Sequence, residues 1–441
     1  MNNIKLPAAI SMVIANMIGV GVFTSVGYQL AGVPSAWPVL SLWIVGGILS
    51  ICGALCYAEL VAMLPRSGGE YHLLREAYHP LAGFMAGWIS LIAGFAAPIS
   101  LSAMAFAKYA QAFGLQAESR LLAASLVISV AALNLSSVKW LGRVLTGFTT
   151  LKVLLILAFI IGAIVLPGGT RNSFTFHPGD EHLLLSTPYA VSLVYVMFAY
   201  EGWNGAAYVA GDMDKPQRNV PLALIIGTLI VMALYAAVNA VFLWRTPWDA
   251  MRGQEEAALI AAKSIFGDSG GKFMGFLIAF GLVSTVVSML LAGSRVNQRM
   301  GNDAPFLSAL AKVNSAGTPW ISVLVVAAVS LGMLLTGTFQ QILSYVECLL
   351  LASSGMAVIG VIVLRWRKPD LPRPFRVPLY PLTPLVFAVM VIYMIRQKAF
   401  DDITEIVWGL LTLLVGVVVY FIGSKLKPIP HDPGPSNTSR P

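Results

Sequence analysis

The first apolar run of the chain contains the stretch NMIGVGVF at residues 16–23. Its glycines, Gly19 and Gly21, weaken the helix at a depth where hydrocarbon offers the backbone no other hydrogen-bond partners. The sixth apolar run has a similar interruption, FAYEGWNG, at 198–205. Either stretch alone fits close helix packing, for which membrane helices commonly use glycine. Interrupted helices in the first and sixth of ten positions instead indicate inverted repeats with a binding site at the bilayer midplane.

The composition places these two stretches in a membrane protein. Hydrophobic residues make up 57% of the 441 residues, charged residues make up 11%, and the mean hydropathy is +0.79. A soluble domain carries about 25% charged residues, so this chain cannot cover a large water-facing surface. The sequence predicts an all-α membrane protein of twelve transmembrane helices. The predicted spans are 6–26, 37–64, 80–112, 121–138, 141–166, 186–211, 219–244, 272–294, 319–336, 340–364, 379–396 and 404–424.

The distribution of basic residues predicts the orientation. With the N-terminus inside, 18 of the 28 Lys and Arg residues fall in inner segments and 8 in outer segments. Lys108 and Lys152 lie within spans. The bias predicts a multi-pass protein of the cytoplasmic (inner) membrane with both termini in the cytoplasm. It also accounts for the net charge of +8 without a nucleic-acid partner.

The remaining segments give no sign of a soluble domain. We interpret 1–424 as a single transporter domain, 247–267 as a short amphipathic outer helix, 365–378 as an inner connector and 425–441 as a disordered cytoplasmic tail. The three cysteines lie inside apolar runs, and neither a zinc-ligand spacing nor a cleavable signal is present. We therefore expect no metal and no cofactor.

An interrupted membrane helix suits one kind of ligand particularly well. Its unwound turn leaves amide N–H and carbonyl groups unpaired, which hydrocarbon disfavours unless they line a cavity. Half-helix N-termini attract a carboxylate, and C-terminal carbonyl groups attract an ammonium. A zwitterionic amino acid satisfies both ends.

Several ordered motifs carry a family resemblance. The sequence resembles the amino acid–polyamine–organocation (APC) superfamily, and in particular bacterial members close to the L-type amino acid transporters. The resemblance implies a LeuT-type fold, with 6–166 and 186–364 as a 5+5 inverted repeat and 379–424 as two peripheral helices. The motifs are IGVGVF at 18–23, YAEL at 57–60, PRSGGEY at 65–71, FAYEGWN at 198–204, DKPQRNVP at 214–221 and LPRPFRVP at 371–378.

The resemblance also implies a substrate site at the two breaks. The amides around Gly19, Val20 and Gly21 would bind the substrate carboxylate. The carbonyl groups near Met17 and those of Phe198 and Glu201 would bind its amino group. Phe198 corresponds to an aromatic gate, although ordinary core packing is the alternative, and Trp203 is either pocket wall or packing. The substrate-binding residues predicted in this way are Met17, Gly19, Val20, Gly21, Phe198, Glu201, Gly202 and Trp203.

Lys152 is a candidate coupling residue. It lies eleven residues into the predicted fifth span, roughly 16 Å from its inner edge, which is near mid-bilayer. A lysine at that depth is costly and indicates function, whereas snorkelling to an interface is the alternative. In proton-coupled and exchanger relatives, a lysine in this helix replaces a bound ion. Ser284, Thr285 and Ser288 on span eight could face it, although hydrogen bonding within their own helix is the favoured alternative for each. Of these, Ser284 is the second predicted coupling residue.

Glu201 and Glu347 depart from the family pattern, because L-type relatives commonly carry a small residue at the first position. Each carboxyl group could bind a cationic substrate, carry a proton, or stay protonated in an internal hydrogen-bond network. We favour a protonated Glu201, because Phe198, Tyr200 and Trp203 make its surroundings apolar. The loop 112–120 contains no cysteine, so no disulfide-linked ancillary subunit is expected.

The sequence thus predicts a secondary active transporter of amino acids that works by alternating access, as an exchanger or coupled to protons. Neutral amino acids are the favoured substrates, and cationic amino acids or polyamines are the alternative. A membrane-embedded enzyme is the rival class, but the five histidines lie in loops or at span edges, and no HExxH or GxSxG motif is present. A nutrient sensor would carry an appended signalling domain, which we do not find.

Overall fold

The computed structural model describes residues 4–112, 114–135, 138–176 and 178–427. Over these residues the chain is built from helices, and no strand is formed beyond a single bridge between Ile4 and Met213. The helices are α1 (Leu6–Met17), α2 (Gly21–Gly32), α3 (Ala36–Met63), α4 (Gly69–Ala77), α5 (Pro80–Ile89), α6 (Ala97–Ala112), α7 (Ser119–Asn134), α8 (Val138–Val165), α9 (Asp180–Leu183), α10 (Thr187–Tyr200), α11 (Pro216–Arg245), α12 (Trp248–Met251), α13 (Ala257–Asp303), α14 (Trp320–Thr336), α15 (Phe339–Arg367), α16 (Leu382–Asp401) and α17 (Ile403–Leu426).

The helices are suited to a bilayer in both length and surface. Within the described ranges, nine helical segments are long and apolar enough to cross a membrane, and α7 and α14 are shorter apolar helices. Large apolar side chains such as Ile161, Val389, Ile392 and Leu414 are more than half exposed. Water would disfavour so extensive an apolar surface, whereas lipid accepts it. The chain is therefore a multi-pass membrane protein.

The two interruptions predicted from the glycine-containing stretches are confirmed. The first helix stops at Met17 and resumes as α2 at Gly21, so the three residues between them are not helical. The sixth stops at Tyr200, and the chain continues into a 3-10 helix over Gly205–Asp212. Gly202, between the two, has φ +103°. This left-handed conformation favours glycine, which explains why the helix breaks there.

These interrupted helices lie at the centre of the bundle. α1 and α3 pack on α11, and α10 packs on α2 and α3. The aromatic side chains of Trp43, Tyr200 and Tyr235 meet between α3, α10 and α11, with ring centroids 5.1–6.1 Å apart. Tyr200 donates a hydrogen bond to the Trp43 carbonyl oxygen at 2.8 Å. This aromatic cluster fixes the ends of both breaks relative to the long helix α11.

Four details differ from the sequence prediction. The segment after the second span contains a helix, α4, which Gly68 and Gly69 introduce with positive φ. The third span contains a π-helix over Ser90–Ala96 between α5 and α6. Residues 247–267 form the single turn α12 and, after Gly253 at φ +72°, the first part of α13. The last helix continues to Leu426, and the rest of the predicted tail, 428–441, lies outside the described residues.

Candidate substrate-binding site

The two helix breaks are in direct contact. A Cβ atom on Gly202 would lie 2.7 Å from the backbone carbonyl carbon of Asn16, so only glycine permits this approach. Asn16 also accepts a hydrogen bond from the Ser288 hydroxyl at 3.1 Å, which ties the first break to α13. The last turn of α1 therefore packs against the interrupted sixth helix, as expected for a site shared by two repeats.

A cavity opens where the breaks meet. Its wall is formed by the α1–α2 break, the π-helix, α6, the α10 break, α13 and α15. A π-helix segment is rare in proteins and frequently marks a functional site. Seven of the eight predicted substrate-binding residues line the cavity, and these are Met17, Gly19, Val20, Gly21, Phe198, Glu201 and Gly202. The predicted residues thus lie together at one cavity, with one exception described below, and their role in substrate binding stays a prediction.

The helix ends give the cavity its polarity. α2 begins at Gly21, and the first amides of a helix have no intrahelical acceptor, so this end attracts an anion. The nearby Gly19 amide is not available, because it donates to the Met17 carbonyl oxygen at 2.7 Å. Tyr235 donates to the same oxygen at 2.6 Å. Both acceptor positions of that oxygen are therefore occupied, and the Met17 carbonyl does not have the ammonium-binding role we predicted for it in this conformation.

The two glycines of the first break have different surroundings. A Cβ atom on Gly21 would lie 2.6 Å from the Cα atom of Ala199, so Gly21 allows α2 and α10 to approach closely. A Cβ atom on Gly19 would make only ordinary contacts, at 3.9 Å from the Met17 carbonyl oxygen and the Thr285 Cγ2 atom, so a methyl group fits there. Gly21 therefore has the packing role that we considered as the simpler interpretation, in addition to lining the cavity.

The opposite polarity is found at the end of α10. The Phe198 carbonyl oxygen accepts one hydrogen bond, from the Glu201 amide at 3.1 Å, so it retains a second acceptor position. The Phe198 side chain is buried and lines the cavity. A ligand with an ammonium group at this end and a carboxylate at the start of α2 would match the two helix ends.

Lys152 lies behind the first break. Its ammonium donates to the Ile18 carbonyl oxygen at 3.0 Å and to the Thr285 hydroxyl at 2.7 Å. The side chain is 6% exposed, so it does not snorkel to an interface. Ser284 is not its partner, because the Ser284 hydroxyl donates to Gly281 in its own helix at 2.8 Å. The bridge from α8 to the first break and to α13 is therefore made by Lys152 and Thr285.

Trp203 is the exception among the predicted site residues. Its indole is fully buried and packs edge-to-face on Tyr57 at 4.7 Å and on Phe387 at 6.3 Å, away from the cavity wall. A Cβ atom on Gly53 would lie 2.8 Å from this ring, so α3 also confines it. Of the two alternatives for Trp203, the structure therefore supports packing.

Glu70 is the main site residue that sequence reasoning missed. Its buried carboxylate lines the cavity and receives hydrogen bonds from Tyr57 at 2.6 Å, Asn204 at 3.2 Å, Ser353 at 2.5 Å and Ser354 at 3.4 Å. Burial raises the pKa of Glu70, and these donors oppose the shift. One carboxylate thus joins α3, α4, the sixth-helix break and α15 at the cavity wall.

A signal for Glu70 was present in the sequence. The motif PRSGGEY places a carboxylate between two glycines and a tyrosine in a segment without an apolar run. We interpreted this segment as a loop, and a loop glutamate needs no buried partner. The partners on α15 are nearly 300 residues away in the chain, at a sequence separation of 283 for Ser353, so no local pattern could identify them.

Comparison with known proteins identifies relatives over nearly the whole chain. The family model described as amino acid permease matches residues 4–422. The mouse large neutral amino acids transporter small subunit 2 is 31% identical over 95% of this chain and 80% of its own length. The mouse b(0,+)-type amino acid transporter 1 is 26% identical over 95% and 87%. The human cystine/glutamate transporter is 27% identical over 95% and 84%.

Proposed function

The chain belongs to the amino acid permease family, and on that basis we propose that it is a secondary active transporter of amino acids that works by alternating access. The observation that carries the proposal is the cavity between the two helix breaks. The N-terminus of α2 there supplies amide donors for a carboxylate, and the end of α10 supplies a carbonyl acceptor for an ammonium. Membership of a transporter family also argues against an enzyme.

We further propose the LeuT-type arrangement. In this arrangement α1–α8 form the first repeat of five spans, the second repeat runs from α10 to α15, and α16 and α17 are peripheral. The chain would then have twelve spans within a single transporter domain, 1–424. The contact between Asn16 and Gly202 supports the pairing of the first and sixth spans. The bias in basic residues supports placement in the cytoplasmic membrane with both termini inside.

The favoured substrates are neutral amino acids. Glu201 lines the cavity, and within the described residues no ion pair joins its carboxyl group to a cationic side chain. Protonated, Glu201 acts as a hydrogen-bond donor and suits a neutral substrate. Ionised, it would favour lysine, arginine or a polyamine, and this is the alternative function.

The isosteric Glu201→Gln variant separates these two functions. Competition for labelled uptake by alanine and leucine should persist in Glu201→Gln if the substrates are neutral. Competition by arginine or putrescine that is strong in the wild type and disappears in Glu201→Gln would establish the cation carrier instead. Glu256→Gln is the matched control, because the Glu256 carboxylate pairs with Lys108 at 4.0 Å and does not line the cavity.

A screen in proteoliposomes tests the transport function itself. We expect the purified protein to take up at least one of the twenty amino acids, measured with and without internal substrate and with and without a pH gradient. Dependence on internal substrate would identify an exchanger, and dependence on the gradient would identify proton coupling. Vesicles that take up none of the twenty under any of these conditions would contradict the proposal.

We also propose that the chain needs no disulfide-linked partner. The loop 112–120 contains no cysteine, and Cys52, Cys56 and Cys348 lie unpaired inside helices. A partner bound through a disulfide at that loop would have no sulfur to bind. Transport by the purified single chain in the screen above would support this proposal.

A further inference from the structure

A second carboxyl group lies close to the cavity but does not line it. Glu347, on α15, has no exposed surface, and neither of its carboxyl oxygens has a hydrogen-bond partner within the described part of the chain. The hydrogen-bond network that we considered for this residue is therefore not formed by the protein groups around it. A buried acid with no partner is costly to maintain, which suggests that it binds something.

The other buried acids show how unusual Glu347 is. Glu59 is held by the Arg365 guanidinium at 2.6 and 2.8 Å. Glu405 pairs with Lys398 at 3.0 Å, and Glu70 is surrounded by hydroxyl and amide donors. Each of these carboxyl groups has a cation or several hydrogen-bond donors within reach. Glu347 has neither, so its neutral, protonated form is the one that this conformation accommodates.

The charged and titratable surroundings of Glu347 point to Glu201. Leu350, one turn along α15 from Glu347, lines the cavity together with Glu201, and α15 packs against α10. Two of the cations on the neighbouring helices are engaged elsewhere, since Lys398 pairs with Asp401 and Glu405, and Lys108 pairs with Glu256. The π-helix and α5 carry no titratable side chain. The titratable side chains on the other elements packed against α15 are Tyr189, Tyr195, Tyr200 and, at its end, Glu201 on α10, Glu70, Tyr71, His72, Arg75 and Glu76 on α4, Cys52, Cys56, Tyr57 and Glu59 on α3, Lys108 and Tyr109 on α6, Tyr393, Arg396, Lys398 and Asp401 on α16, and Glu405, Tyr420 and Lys425 on α17.

We propose that Glu347 and Glu201 form a proton-binding pair and that this pair couples amino-acid transport to the movement of one proton. This inference rests on the proposed transport function and identifies the proton as the ion to which transport is coupled. Glu201 lines the cavity and can exchange a proton with it, whereas Glu347 is shielded behind. The proton binds to a carboxylate oxygen while the cavity is open to one side, and it is released as H⁺ to the other side.

The position of Glu347 favours a proton over a cationic substrate. A lysine or arginine side chain that entered the cavity would reach Glu201 but not Glu347, because Glu347 is not part of the cavity wall. A proton can pass from one carboxyl group to the other. Two carboxylates beside one cavity in a low-dielectric interior repel each other when both are ionised, and one bound proton relieves this repulsion.

Proteoliposomes with a trapped pH-sensitive dye and a clamped membrane potential test the coupling. Addition of a neutral amino acid that is active in the uptake screen should acidify the lumen of wild-type vesicles. An inside-alkaline gradient of about one pH unit should drive up to about tenfold accumulation if one proton accompanies each substrate. The ratio of gradient-driven accumulation to counterflow rate is the measure of coupling, and Glu347→Gln should lose most of it. Glu405→Gln, a half-buried carboxylate with a cationic partner, is the matched control and should keep the wild-type ratio.

The same vesicles decide between the alternatives. Counterflow by Glu347→Gln shows that this variant is folded. If Glu347→Gln cannot be reconstituted, Glu201→Gln is measured in the same way and should lose the same coupling. Undiminished lumen acidification per substrate in these variants would overturn the proposal, and so would wild-type exchange without any acidification. Strong uptake of arginine or putrescine without acidification of the lumen would overturn the proposal and would indicate a site for a cationic substrate. If the wild type shows no counterflow with any amino acid, the transport function itself fails and the proton pair fails with it.

Discussion

At the scale of single residues, the first break separates two roles that the sequence could not distinguish. Gly19 and Gly21 are one residue apart and both line the cavity. Only Gly21 is in close contact with α10, where a Cβ atom would lie 2.6 Å from the Ala199 backbone. A methyl group fits at Gly19 beside the cavity, so we infer that its missing side chain serves the ligand, whereas the missing side chain of Gly21 also serves helix packing.

The two alanine variants should therefore fail differently. Gly19→Ala should leave the melting temperature close to wild type and weaken amino-acid binding by about tenfold or more, equivalent to about 1.4 kcal/mol. Gly21→Ala should cost about 1–3 kcal/mol of stability, because it overpacks the α2–α10 contact. Thermal unfolding and binding of labelled substrate to the purified proteins would check both. Equal loss of stability in the two variants would contradict this assignment.

Lys152 gives a second prediction at this scale. Lys152→Ala should abolish transport or its pH dependence without loss of expression, because it removes the bridge between Ile18 and Thr285. Thr285→Val keeps the shape of the side chain but removes the hydroxyl acceptor, so we expect a partial loss. Ser284→Ala is the matched control, because the Ser284 hydroxyl bonds only within its helix. A wild-type rate and pH profile in Lys152→Ala would rule out the coupling role.

At the scale of elements, α4 has a larger role than a connecting segment. Its apolar residues are buried, and its acid Glu70 reaches the cavity wall. Its other face carries Arg75, which pairs with Asp303 at the end of α13 at 3.7 Å. Asp303 also pairs with Arg66 at 3.3 Å and with Arg299 at 3.4 Å. Movement of α4 would therefore disturb the cavity and this ion cluster together.

The buried His72 of α4 predicts a dependence of stability on pH. Burial lowers the pKa of His72 to about 4, below its ordinary value of 6.5. The folded state therefore favours the neutral ring, and its stability should fall as the pH drops from about 6.5 towards 4. The loss is on the order of 3 kcal/mol at most. Thermal unfolding between pH 7 and pH 5 should show this fall, and His72→Gln should flatten it. An unchanged slope in His72→Gln would contradict this assignment.

The sequence predicted the elements that have a local signature. Both breaks followed from glycines in apolar runs, and the depth of Lys152 followed from its position in a span. The choice of Thr285 over Ser284 as the Lys152 partner, the Glu70 network and the inward packing of Trp203 depend on how helices pack together. For example, Tyr235 occupies the Met17 carbonyl oxygen across a separation of 218 residues. Hydropathy and glycine spacing carry no information on such contacts, so these parts of the site needed the structure.

At the scale of the whole molecule, the account predicts an even number of crossings. Both termini should lie in the cytoplasm, because 18 basic residues fall in the proposed inner segments and 8 in the outer ones. A reporter fused after Lys427 should therefore give a cytoplasmic signal. A second fusion, in the loop at 167–176, should give a periplasmic one. A periplasmic signal from the first fusion would contradict the topology.

The central claim is that two helix ends recognise the two charged groups of an amino acid at the meeting point of the breaks. The most direct test is competition in a counterflow assay, with a neutral amino acid that the protein transports, its methyl ester and its deamino acid as competitors. The amino acid should compete fully, and both analogues should compete about tenfold or more weakly, because each lacks one charged group. Equal competition by the methyl ester and the parent amino acid would show that the carboxylate is not recognised and would contradict the account.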